Sequence, residues 1–425
     1  MKHLILSVSL ATLFISFKPM DKTPNKNQKL KADADNGGIT LPKGFGAIVV
    51  SEGVGKARHI AVSEKGDIYV RLSKLKDGKG TIILKDTNGD GKADETKGFG
   101  NFVGTGIAIG NGYLYASSDS SVSRYPMKNG IPDESKPETI VTGLELYGEH
   151  GTKSLALDDK GHLYVTFGAP SNACQEKNRT KGSKGMMPCP ILDWHGGVWQ
   201  FDANKKNQKH ADGFRYITGI RNIVGLAWNK EEGELYGMQH GRDQLTTLFP
   251  EMYNAEQSAE LPSEEFLLLK KGSDFGWPYC YHDRFQNKKI LNPEYGGDTK
   301  TQGVCEGKDK PIMAFPAHWA PNALMFYTGN QFPAKYKNGA FICFHGSWNR
   351  APLKQGGYFV AFVPFGKDGK PSGDYEVFAE GFAGGSEIKQ PNDAKARPMG
   401  LAQSADGSIY ITDSVKGKVW RVIHQ

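Results

Sequence analysis

The sequence is poor in cysteine, with five residues in 425, and no two of them have C-x-x-C spacing. That absence argues against a zinc site built from paired cysteines, and the lack of C-x-x-C-H excludes a covalently attached c-type haem. Basic runs are also missing from the body of the chain. The net charge is +7, of which residues 1–36 supply +3 through six lysines and three aspartates. Nucleic-acid binding is therefore not predicted.

Long hydrophobic runs are missing too. The apolar stretch at residues 4–17 follows a positively charged start and ends at Lys18-Pro19, and at about 14 residues it is too short for a comfortable membrane span. We interpret residues 1–20 as a signal peptide for export to a periplasm or to the medium, with no transmembrane domain after cleavage. Residues 21–38 are polar and are predicted to be a disordered linker. The folded domain is predicted at residues 39–425.

The five cysteines fall into two pairs and one single residue. Cys174 and Cys189 lie in a polar loop rich in Gly, Pro and Lys, and Cys280 and Cys305 flank another polar loop. Two local disulfides that each close one long loop are the natural inference in an oxidising compartment. Cys343, within the apolar run AFICF, is predicted to be a buried free thiol.

Glycine is abundant, with 53 residues, and aromatic residues make up 11% of the chain. This composition favours short strands and tight turns. One unit recurs: an apolar alternation, a polar turn containing glycine, and a second alternation that ends in Ile or Leu before Tyr. The copies are residues 59–70, 106–116, 154–165, 225–237 and 400–411, with a weaker copy at 324–343. Such repeated hairpins predict an all-β fold, a six-bladed β-propeller in which each unit is the centre of a four-stranded blade.

The spacing between the copies is uneven. Their anchor residues lie 46 and 49 residues apart in the first half of the chain and 72, 105 and 69 residues apart in the second. Long insertions on a compact scaffold tend to be functional loops, so such loops are predicted in the later blades. Residues 45–50 are predicted to pair with residues 418–424 in one blade, because closing the ring removes sheet edges that promote aggregation.

The segment DTNGDGKADE at residues 86–95 matches part of a calcium-binding loop. Asp86, Asn88, Asp90 and Asp94 place oxygens at positions one, three, five and nine, but position twelve is a lysine in place of the bidentate glutamate. Two interpretations stay open. The segment is either a weak calcium site or an Asx-rich turn between two strands of a blade.

Histidine and arginine residues recur where the chain enters or leaves an inner strand. Glu149-His150 precedes the third repeat, and Arg221-Asn222 precedes the fourth; the later blades carry His318, His345, Arg350 and Arg397 at equivalent points. Neutral imidazole suits proton abstraction near neutral pH, and a neighbouring carboxylate can tune it. Arginines that converge on one cavity indicate an anionic, planar ligand. The alternative for each residue alone is a structural role.

Several motifs, in this order along the chain, resemble one family. They are R-N-x-x-G-L-A-W at residues 221–228, Q-H-G-R-D at 239–243, F-G-W-P-Y at 275–279, F-Y-T-G-x-x-F-P-A at 326–334, H-G-S-W-N-R at 345–350 and R-P-M-G-L-A with I-T-D at 397–413. Over residues 40–424 the chain resembles the soluble quinoprotein dehydrogenases of the glucose/sorbosone dehydrogenase family. These motifs are closer to those of the sorbosone branch of that family than to those of the glucose branch.

The resemblance implies a six-bladed propeller that binds pyrroloquinoline quinone (PQQ) and calcium and oxidises a sugar, an aldose or aldosone, with an external electron acceptor. His150 matches the family's general base, which takes the hydroxyl proton while the C1 hydride passes to the quinone. The remaining matches are Arg221, Asn222, Arg397, Thr412 and His318 near the cofactor, and the backbone carbonyls of Gly241 and Arg242 on calcium. His318, His345 and Glu149 are the other candidates for the base.

The sequence departs from the glucose branch at two places. Arg58-His59 stands where that branch has a glutamine, and Asn349 stands where it has a cofactor-binding lysine, so Arg350 is predicted to take over the lysine contact. Two other functions stay open. One is a cofactor-free sugar lactonase that uses a metal-activated water, and the other is a non-catalytic propeller that binds glycan or protein.

Overall fold

Each repeated hairpin forms the two innermost strands of one antiparallel sheet, and six such sheets make up the protein. The coordinates are a computed structural model that describes residues 30–385 and 387–425. Blades are numbered here by the position of their inner strand along the chain. The six-bladed all-β propeller is confirmed, although the repeated unit lies at the inner side of each blade and not at its centre.

The strands of the first three blades are short and run outward from the ring axis in chain order. Blade 1 contains β2 (Ala57–Val62), β3 (Ile68–Lys76), β4 (Lys79–Lys85) and β5 (Glu95–Phe99); blade 2 contains β6 (Ile107–Gly110), β7 (Tyr113–Ser117), β8 (Val122–Lys128) and β10 (Glu138–Val141), with β9 (Ile131–Pro132) paired to β8; blade 3 contains β11 (Leu155–Leu157), β12 (His162–Phe167), β13 (Gly197–Asp202) and β14 (Phe214–Thr218).

The last three blades follow the same order, and blade 4 carries an inserted hairpin. Blade 4 contains β15 (Ile223–Asn229), β16 (Glu234–Gln239), β17 (Glu264–Leu269) and β20 (Met313–Phe315), with β18 (Cys280–Asp283) and β19 (Lys288–Leu291) in the insertion; blade 5 contains β21 (Pro321–Phe326), β22 (Ala340–Phe344), β23 (Phe359–Val363) and β24 (Glu376–Ala379); blade 6 contains β25 (Pro398–Gln403), β26 (Ile409–Asp413), β27 (Val419–His424) and β1 (Phe45–Ser51).

Helices in the described ranges are few and short. They are α1 (Leu245–Leu248), α2 (Ala255–Glu260) and 3-10 turns at Asn36–Gly38, Pro190–Asp193, His210–Asp212, Pro293–Tyr295, Gly303–Cys305, Ala334–Tyr336 and Pro391–Asp393. Among the described residues, no helix has the length and apolar character needed to span a membrane. The predicted signal peptide at residues 1–20 lies outside the described residues.

Ring closure follows the sequence prediction. The first strand, β1, pairs antiparallel with the last strand, β27, with Phe45 opposite His424. Both chain ends therefore contribute to blade 6. Residues 30–38, assigned to the linker in the sequence analysis, contact β1 here: Asp33 and Asn36 accept hydrogen bonds from the backbone N–H groups of Val49 and Ala47 at 2.8 and 2.9 Å. The difference arises because β1 is an edge strand whose outward N–H groups need acceptors. The linker prediction for residues 21–29 lies outside the described residues.

The hydrophobic core is divided among the six interfaces between neighbouring blades. Each interface holds one cluster of buried side chains, such as Tyr115, Leu163 and Phe201 between blades 2 and 3. The repeated tyrosine explains part of this arrangement. The hydroxyl of Tyr236 in blade 4 donates to the carbonyl oxygen of Gly369 in blade 5 at 2.7 Å, and Tyr69 bonds to Gly130 of blade 2 in the same way. In these two blades the tyrosine that marks the repeat thus fastens one blade to the next.

Both predicted disulfides are confirmed, and each one closes a loop near the ring. Cys174 and Cys189 close the loop between β12 and β13, and Cys280 and Cys305 close the insertion of blade 4. Cys343 is a buried free thiol, as predicted. The first of these loops follows β12 and the second follows β17.

Candidate active site

The mouth of the central channel is defined here as the end of the ring where inner strands begin and second strands end. These ends lie together because the first two strands of each blade are antiparallel, with Pro398 opposite Asp413 and Ile223 opposite Gln239. Residues before an inner strand and residues after a second strand therefore share one face of the ring. Loops on such a rigid frame are usual positions for functional side chains.

His150 lies on the loop before β11 with a left-handed backbone, φ 55°. Its Nδ1 is 2.6 Å from the carbonyl oxygen of Ala169. A carbonyl oxygen can only accept, so Nδ1 carries the proton and donates it, and the lone pair is on Nε2. Burial first, and then the positive charge of Arg221, lower the pKa of His150 to about 3. The imidazole is therefore neutral at pH 7, which is the form that a general base requires.

Gly168 separates His150 from Asn222. A Cβ at this position would lie 2.6 Å from the Cβ of His150 and 3.0 Å from Oδ1 of Asn222, so only glycine fits. Asn222 is buried, and its side-chain amide makes no hydrogen bond to any residue in the described part of the chain. This leaves the amide free to bind a ligand beside the histidine.

Arg221 is buried, and its guanidinium joins three parts of the mouth. It donates to Oδ2 of Asp243 at 2.7 Å, to the carbonyl oxygen of Gly241 at 3.0 Å and through Nε to Oδ1 of Asn172 at 3.1 Å. The resemblance placed the Gly241 carbonyl on calcium, and here Arg221 uses that oxygen. A carbonyl has two lone pairs, so a cation and Arg221 share it only where nearby anionic groups offset their repulsion.

Asp243 supplies negative charge beside this carbonyl, and the buried Glu264 adds a second carboxyl group that is neutral at pH 7 in the cofactor-free protein. Asp243 is bonded to Arg221, and although burial opposes it, the arginine charge lowers the pKa of Asp243 well below its usual range. Glu264 accepts hydrogen bonds from the N–H groups of Gly241 and Ala320 at 3.0 and 3.1 Å, and burial raises the pKa of Glu264 to about 8. Within the described ranges no Lys, Arg or His nitrogen lies within 4 Å of the Glu264 carboxyl. Both groups lie against the loop that follows β16.

The opposite wall of the mouth carries a cation without a counter-ion. Arg58 donates to Oγ1 of Thr105 at 3.0 Å and to Sδ of Met399 at 3.5 Å, and no carboxylate oxygen of the described residues lies within 4 Å of it. Burial lowers the pKa of Arg58 to about 10, so the side chain stays charged at pH 7. A buried charge is costly unless it is paired, which makes Arg58 a ready partner for an anionic ligand.

Histidines line the channel between these walls. His59 donates through Nε2 to the carbonyl oxygen of Asn322 at 2.8 Å, and His240 is 3.1 Å from the carbonyl oxygen of Pro321. Burial lowers the pKa of each to about 4. Like His150, these rings are neutral and have one nitrogen fixed as a donor. His59 links blade 1, and His240 links blade 4, to the start of β21 in blade 5, and neither ring adds charge to the channel at pH 7.

His318 and Arg397 lie at the mouth, as the sequence predicted. His318 is buried, with Nε2 2.9 Å from the carbonyl oxygen of Ser258 and Nδ1 3.9 Å from Oδ1 of Asp243. Arg397 donates to the carbonyl oxygen of His345 at 3.1 Å and to that of Gly346. Burial lowers the pKa of both side chains. Arg397 forms no ion pair within the described part of the chain, so its charge is also available to an anion.

Arg350 differs from the prediction that it replaces the cofactor lysine. Its guanidinium donates to the carbonyl oxygens of Ala259 and Ala317 and to Glu260, the last at 2.6 Å, and Nε donates to Lys354. These contacts cap the C-terminal end of α2, where free carbonyl groups attract a cation. These bonds hold the side chain against the protein and favour a structural role, and the predicted cofactor contact of Arg350 stays a prediction.

Two other predicted residues have side chains that also serve the protein. The hydroxyl of Thr412 is fully buried and donates to the carbonyl oxygen of Arg58 at 2.8 Å, so it supports the arginine and does not face the mouth. The side chain of Arg242 forms a buried ion pair with Glu294. Only the backbone carbonyl of Arg242 is left for the predicted metal role.

The acidic segment at residues 86–95 forms the turn between β4 and β5, away from the mouth. Asp86 accepts from the N–H groups of Gly89 and Gly91 at 2.7 and 2.8 Å, and Asp94 accepts from Thr87 at 2.8 Å. In the described residues no group of three or more His, Cys, Asp or Glu side chains is arranged to hold a metal ion. These bonds are those of an Asx-rich turn, and calcium binding here stays a prediction.

Sequence reasoning did not select Asp243, Glu264, Asn172 or Arg58 as site residues. Asp243 does end the Q-H-G-R-D motif, and the replacement of a glutamine by Arg58 was visible, so both had a signal in the sequence. Glu264 and Asn172 had none, because each is a single polar residue in an otherwise ordinary segment. Their importance depends on burial and on contacts that only the fold creates.

The depressed histidine pKa values predict that the cofactor-free protein loses stability in acid. His59 is neutral when folded down to about pH 4, whereas an unfolded histidine binds a proton near pH 6.5. The unfolded state therefore holds more protons between these values, and this group costs stability as the pH falls through that window. Relative to the wild type, His59→Gln is expected to reduce the slope of unfolding free energy against pH by about 1.4 kcal/mol per pH unit. Denaturant titrations from pH 7 to pH 4.5 measure this, and equal slopes in the two proteins would contradict it.

The closed six-bladed ring, with arginines, neutral histidines and carboxyl groups at its mouth, has the architecture that the resemblance to the soluble quinoprotein dehydrogenase family implies, and that resemblance is confirmed. More specifically, the chain belongs to the family described as TrAA12-like, whose model matches residues 39–425.

Among curated proteins, the chain is 24% identical over 276 residues to a pyrroloquinoline quinone-dependent pyranose dehydrogenase of Coprinopsis cinerea, a match covering 56% of this chain and 36% of that protein. The chain spans between about a third and a half of the length of the curated relatives it matches.

Two solved structures share the fold at 19% identity. The calcium structure of Trichoderma reesei Carbohydrate-Active Enzymes Family AA12 has a TM-score of 0.74, covering 95% of this chain and all of that one. The holo form of the pyranose dehydrogenase PQQ domain from Coprinopsis cinerea has a TM-score of 0.73, covering 91% and 97%.

Proposed function

We propose that the protein is a PQQ- and calcium-dependent sugar dehydrogenase that oxidises an aldose or aldosone at C1, with His150 as the general base. The observation that carries the proposal is the state of His150: Nδ1 is fixed as a donor to Ala169, and the neutral ring keeps its lone pair on Nε2. A proton acceptor in this form lies beside arginines that attract an anionic ligand. Membership of the TrAA12-like family adds to this argument.

The arginines of the mouth fit a planar ligand that carries carboxylates. Arg58 and Arg397 form no ion pair in the described part of the chain, and Asn222 offers a free amide next to His150. PQQ has three carboxylate groups on a planar ring system, and guanidinium groups pair with carboxylates and stack on such rings. We therefore assign Arg58, Arg397 and Asn222 as its direct contacts, with Arg221 supporting them through Asp243.

Calcium fits the loop after β16 for a separate reason. Oxygen ligands are what calcium prefers, and the carbonyl groups of Gly241 and Arg242 are the predicted donors. The carboxyl group of Glu264 lies behind this loop with two N–H contacts and no cation within 4 Å in the described ranges. Asp243 supplies negative charge beside the loop, and a divalent ion bound there would favour the ionised form of Glu264, so that the two carboxylates together would offset the repulsion between the ion and Arg221.

The chemistry then divides between the cofactor and the chain. Bound PQQ with calcium would supply the acceptor for the hydride, which carries both electrons away from C1 of the sugar. His150 would accept the hydroxyl proton at Nε2, while Ala169 holds Nδ1 and stabilises the imidazolium that results. Negative charge from the cofactor would also offset Arg221, raising the pKa of His150 from about 3 towards the range useful for a base.

The proposed function also implies an electron acceptor, a cellular location and a class of sugar. An external acceptor, such as a quinone, a dye or a cytochrome, must reoxidise the cofactor, because the chain has no haem-attachment motif. Two disulfides are consistent with an oxidising compartment, and we propose export to a periplasm or to the medium. The sugar itself is left as an aldose or aldosone.

Cofactor uptake tests the proposal most directly. The purified protein is titrated with PQQ in the presence of calcium and again with a chelator, and uptake is followed by the absorption of the bound quinone. We expect saturable uptake that requires calcium, together with reduction of a dye acceptor when a panel of aldoses and aldosones is added. A lactonase or a binding propeller would take up no PQQ under either condition.

A further inference from the structure

One side chain connects the Cys174–Cys189 loop to the channel mouth. Arg179, at φ 53°, donates to both carboxylate oxygens of Glu149 at 2.9 Å each and to Oδ2 of Asp243 at 3.0 Å. A further bond runs from its Nη1 to Oε1 of Gln244 at 2.9 Å. A single guanidinium thus bridges the loop that carries His150 and the loop that carries Gly241 and Arg242.

We propose that Arg179 is a positioning residue that clamps these two loops in the geometry needed for proton transfer. The inference rests on the proposed function for its catalytic meaning, but the clamp itself is a property of the cofactor-free protein. Glu149 immediately precedes His150, and Asp243 immediately follows Arg242. Each carboxylate held by Arg179 is therefore one residue away from a group assigned to the reaction.

Backbone conformation shows why the loops need a clamp. His150, Arg179 and Gln244 have φ values of 55°, 53° and 67°, the left-handed region that side chains other than Gly and Asn seldom adopt. Strained residues of this kind persist only where the surrounding contacts determine them. Arg179 bonds directly to Gln244 and to Glu149, the residue before His150, so losing its guanidinium lets each loop relax.

Arginine suits this role better than lysine does. Its planar fork presents donors in two directions, so that it binds Glu149 with two parallel bonds and still reaches Asp243. Asn178 adds one bond to Glu149 at 2.9 Å from the same disulfide-closed loop. The ammonium group of a lysine at position 179 is a compact point charge, so it would not bond to Glu149 and Asp243 at the same time.

The fold does not depend on this clamp. On its other side the His150 loop is held by Lys153, whose ammonium donates to the carbonyl oxygen of Gly151 at 2.6 Å and to the hydroxyl of Tyr147 at 3.1 Å. Arg221 keeps Asp243 paired when Arg179 is removed. An Arg179 variant should therefore fold, with its effect confined to the two loops.

The test compares Arg179→Ala and Arg179→Lys with the control Arg284→Ala. Arg284 pairs with Glu260 at 2.7 Å and is similarly exposed, 29% against 24% for Arg179, but its ion pair involves neither the 145–153 nor the 241–245 segment. In the unloaded proteins we expect faster amide hydrogen exchange in the 145–153 and 241–245 segments of Arg179→Ala only. In the PQQ- and calcium-loaded proteins we expect kcat to fall about 10- to 100-fold, with partial recovery in Arg179→Lys.

A pH profile separates positioning from general damage. Without Arg179 the charge of Glu149 is no longer neutralised and His150 is less buried, so the pKa of His150 rises and the acid limb of kcat/KM moves to higher pH. Exchange rates and an acid limb equal to those of Arg284→Ala would overturn the clamp. Faster exchange in Arg179→Ala together with a wild type that takes up no PQQ would support the clamp and overturn the proposed function.

Discussion

His150→Ala is expected to lose turnover of aldoses or aldosones by about 10²- to 10⁴-fold, the usual contribution of a general base. Nε2 of His150 is the one nitrogen on this loop positioned to take the proton, since Nδ1 is bonded to Ala169. PQQ and calcium are held by other groups in the proposed arrangement, so their affinities should stay within a few-fold of wild type. Steady-state kinetics and PQQ titration of the same preparation measure the two effects separately.

A matched control for this prediction is available in the same blade. His162 is bonded to Asp158 at 2.6 Å on β12 and lies outside the mouth, so His162→Ala should leave turnover unchanged. Wild-type turnover in His150→Ala would return His150 to a structural role and direct attention to His318, His345 and Glu149. A large loss of PQQ affinity in His150→Ala would show that the histidine contacts the cofactor and not only the sugar.

Arg58→Met is expected to weaken PQQ uptake by about 10- to 100-fold, because a charge-assisted hydrogen bond contributes about 1.5 to 3 kcal/mol. The same change should not destabilise the cofactor-free protein. Arg58 has no ion pair in the described part of the chain, so its replacement by a side chain of similar length removes an uncompensated buried charge. Titration with PQQ and denaturant unfolding of the unloaded protein give the two readouts.

Arg350→Ala should behave in the opposite way. Its guanidinium is bonded to Glu260 and to backbone carbonyl groups, so the variant should lose folding stability and keep the PQQ affinity of wild type. The pair of variants thus separates a ligand-binding arginine from a structural one. If Arg350→Ala lost PQQ affinity while Arg58→Met kept it, Arg350 and not Arg58 would be the arginine that binds the cofactor.

Most of the fold could be predicted from the sequence because its information is local and repeated. Strand alternation around a turn that contains glycine occurs six times, five of them with the tyrosine after Ile or Leu, and each copy became the inner hairpin of a blade. The pairing of residues 45–50 with the last strand followed from the need to close a ring. Local patterns did not predict that residues 30–38 attach to β1, because this contact depends on β1 being an exposed edge strand.

The site was predictable only in part. His150, Arg221, Asn222 and Gly241 were identifiable because they stand at strand ends within recognisable motifs. Arg350 was assigned to the cofactor because it follows Asn349, but adjacency in sequence says nothing about where a long side chain points, and its guanidinium is bonded to Glu260. Arg179 had no signal, because its partners Glu149 and Asp243 lie 30 and 64 residues away. Contacts across such distances arise from the arrangement of blades and loops, which composition and spacing do not encode.

Closure of the ring by β1 and β27 has a consequence for biosynthesis and for engineering. Blade 6 takes strands from both termini, so the last interface cannot form until the final residues have been made. A chain of this topology stays open during synthesis or secretion, and it folds slowly because its closing contacts join the most distant residues. The same feature favours circular permutation. Joining the termini and opening the chain between two intact blades would convert the closing blade into a continuous one, and such a permutant should fold faster without any change at the channel mouth.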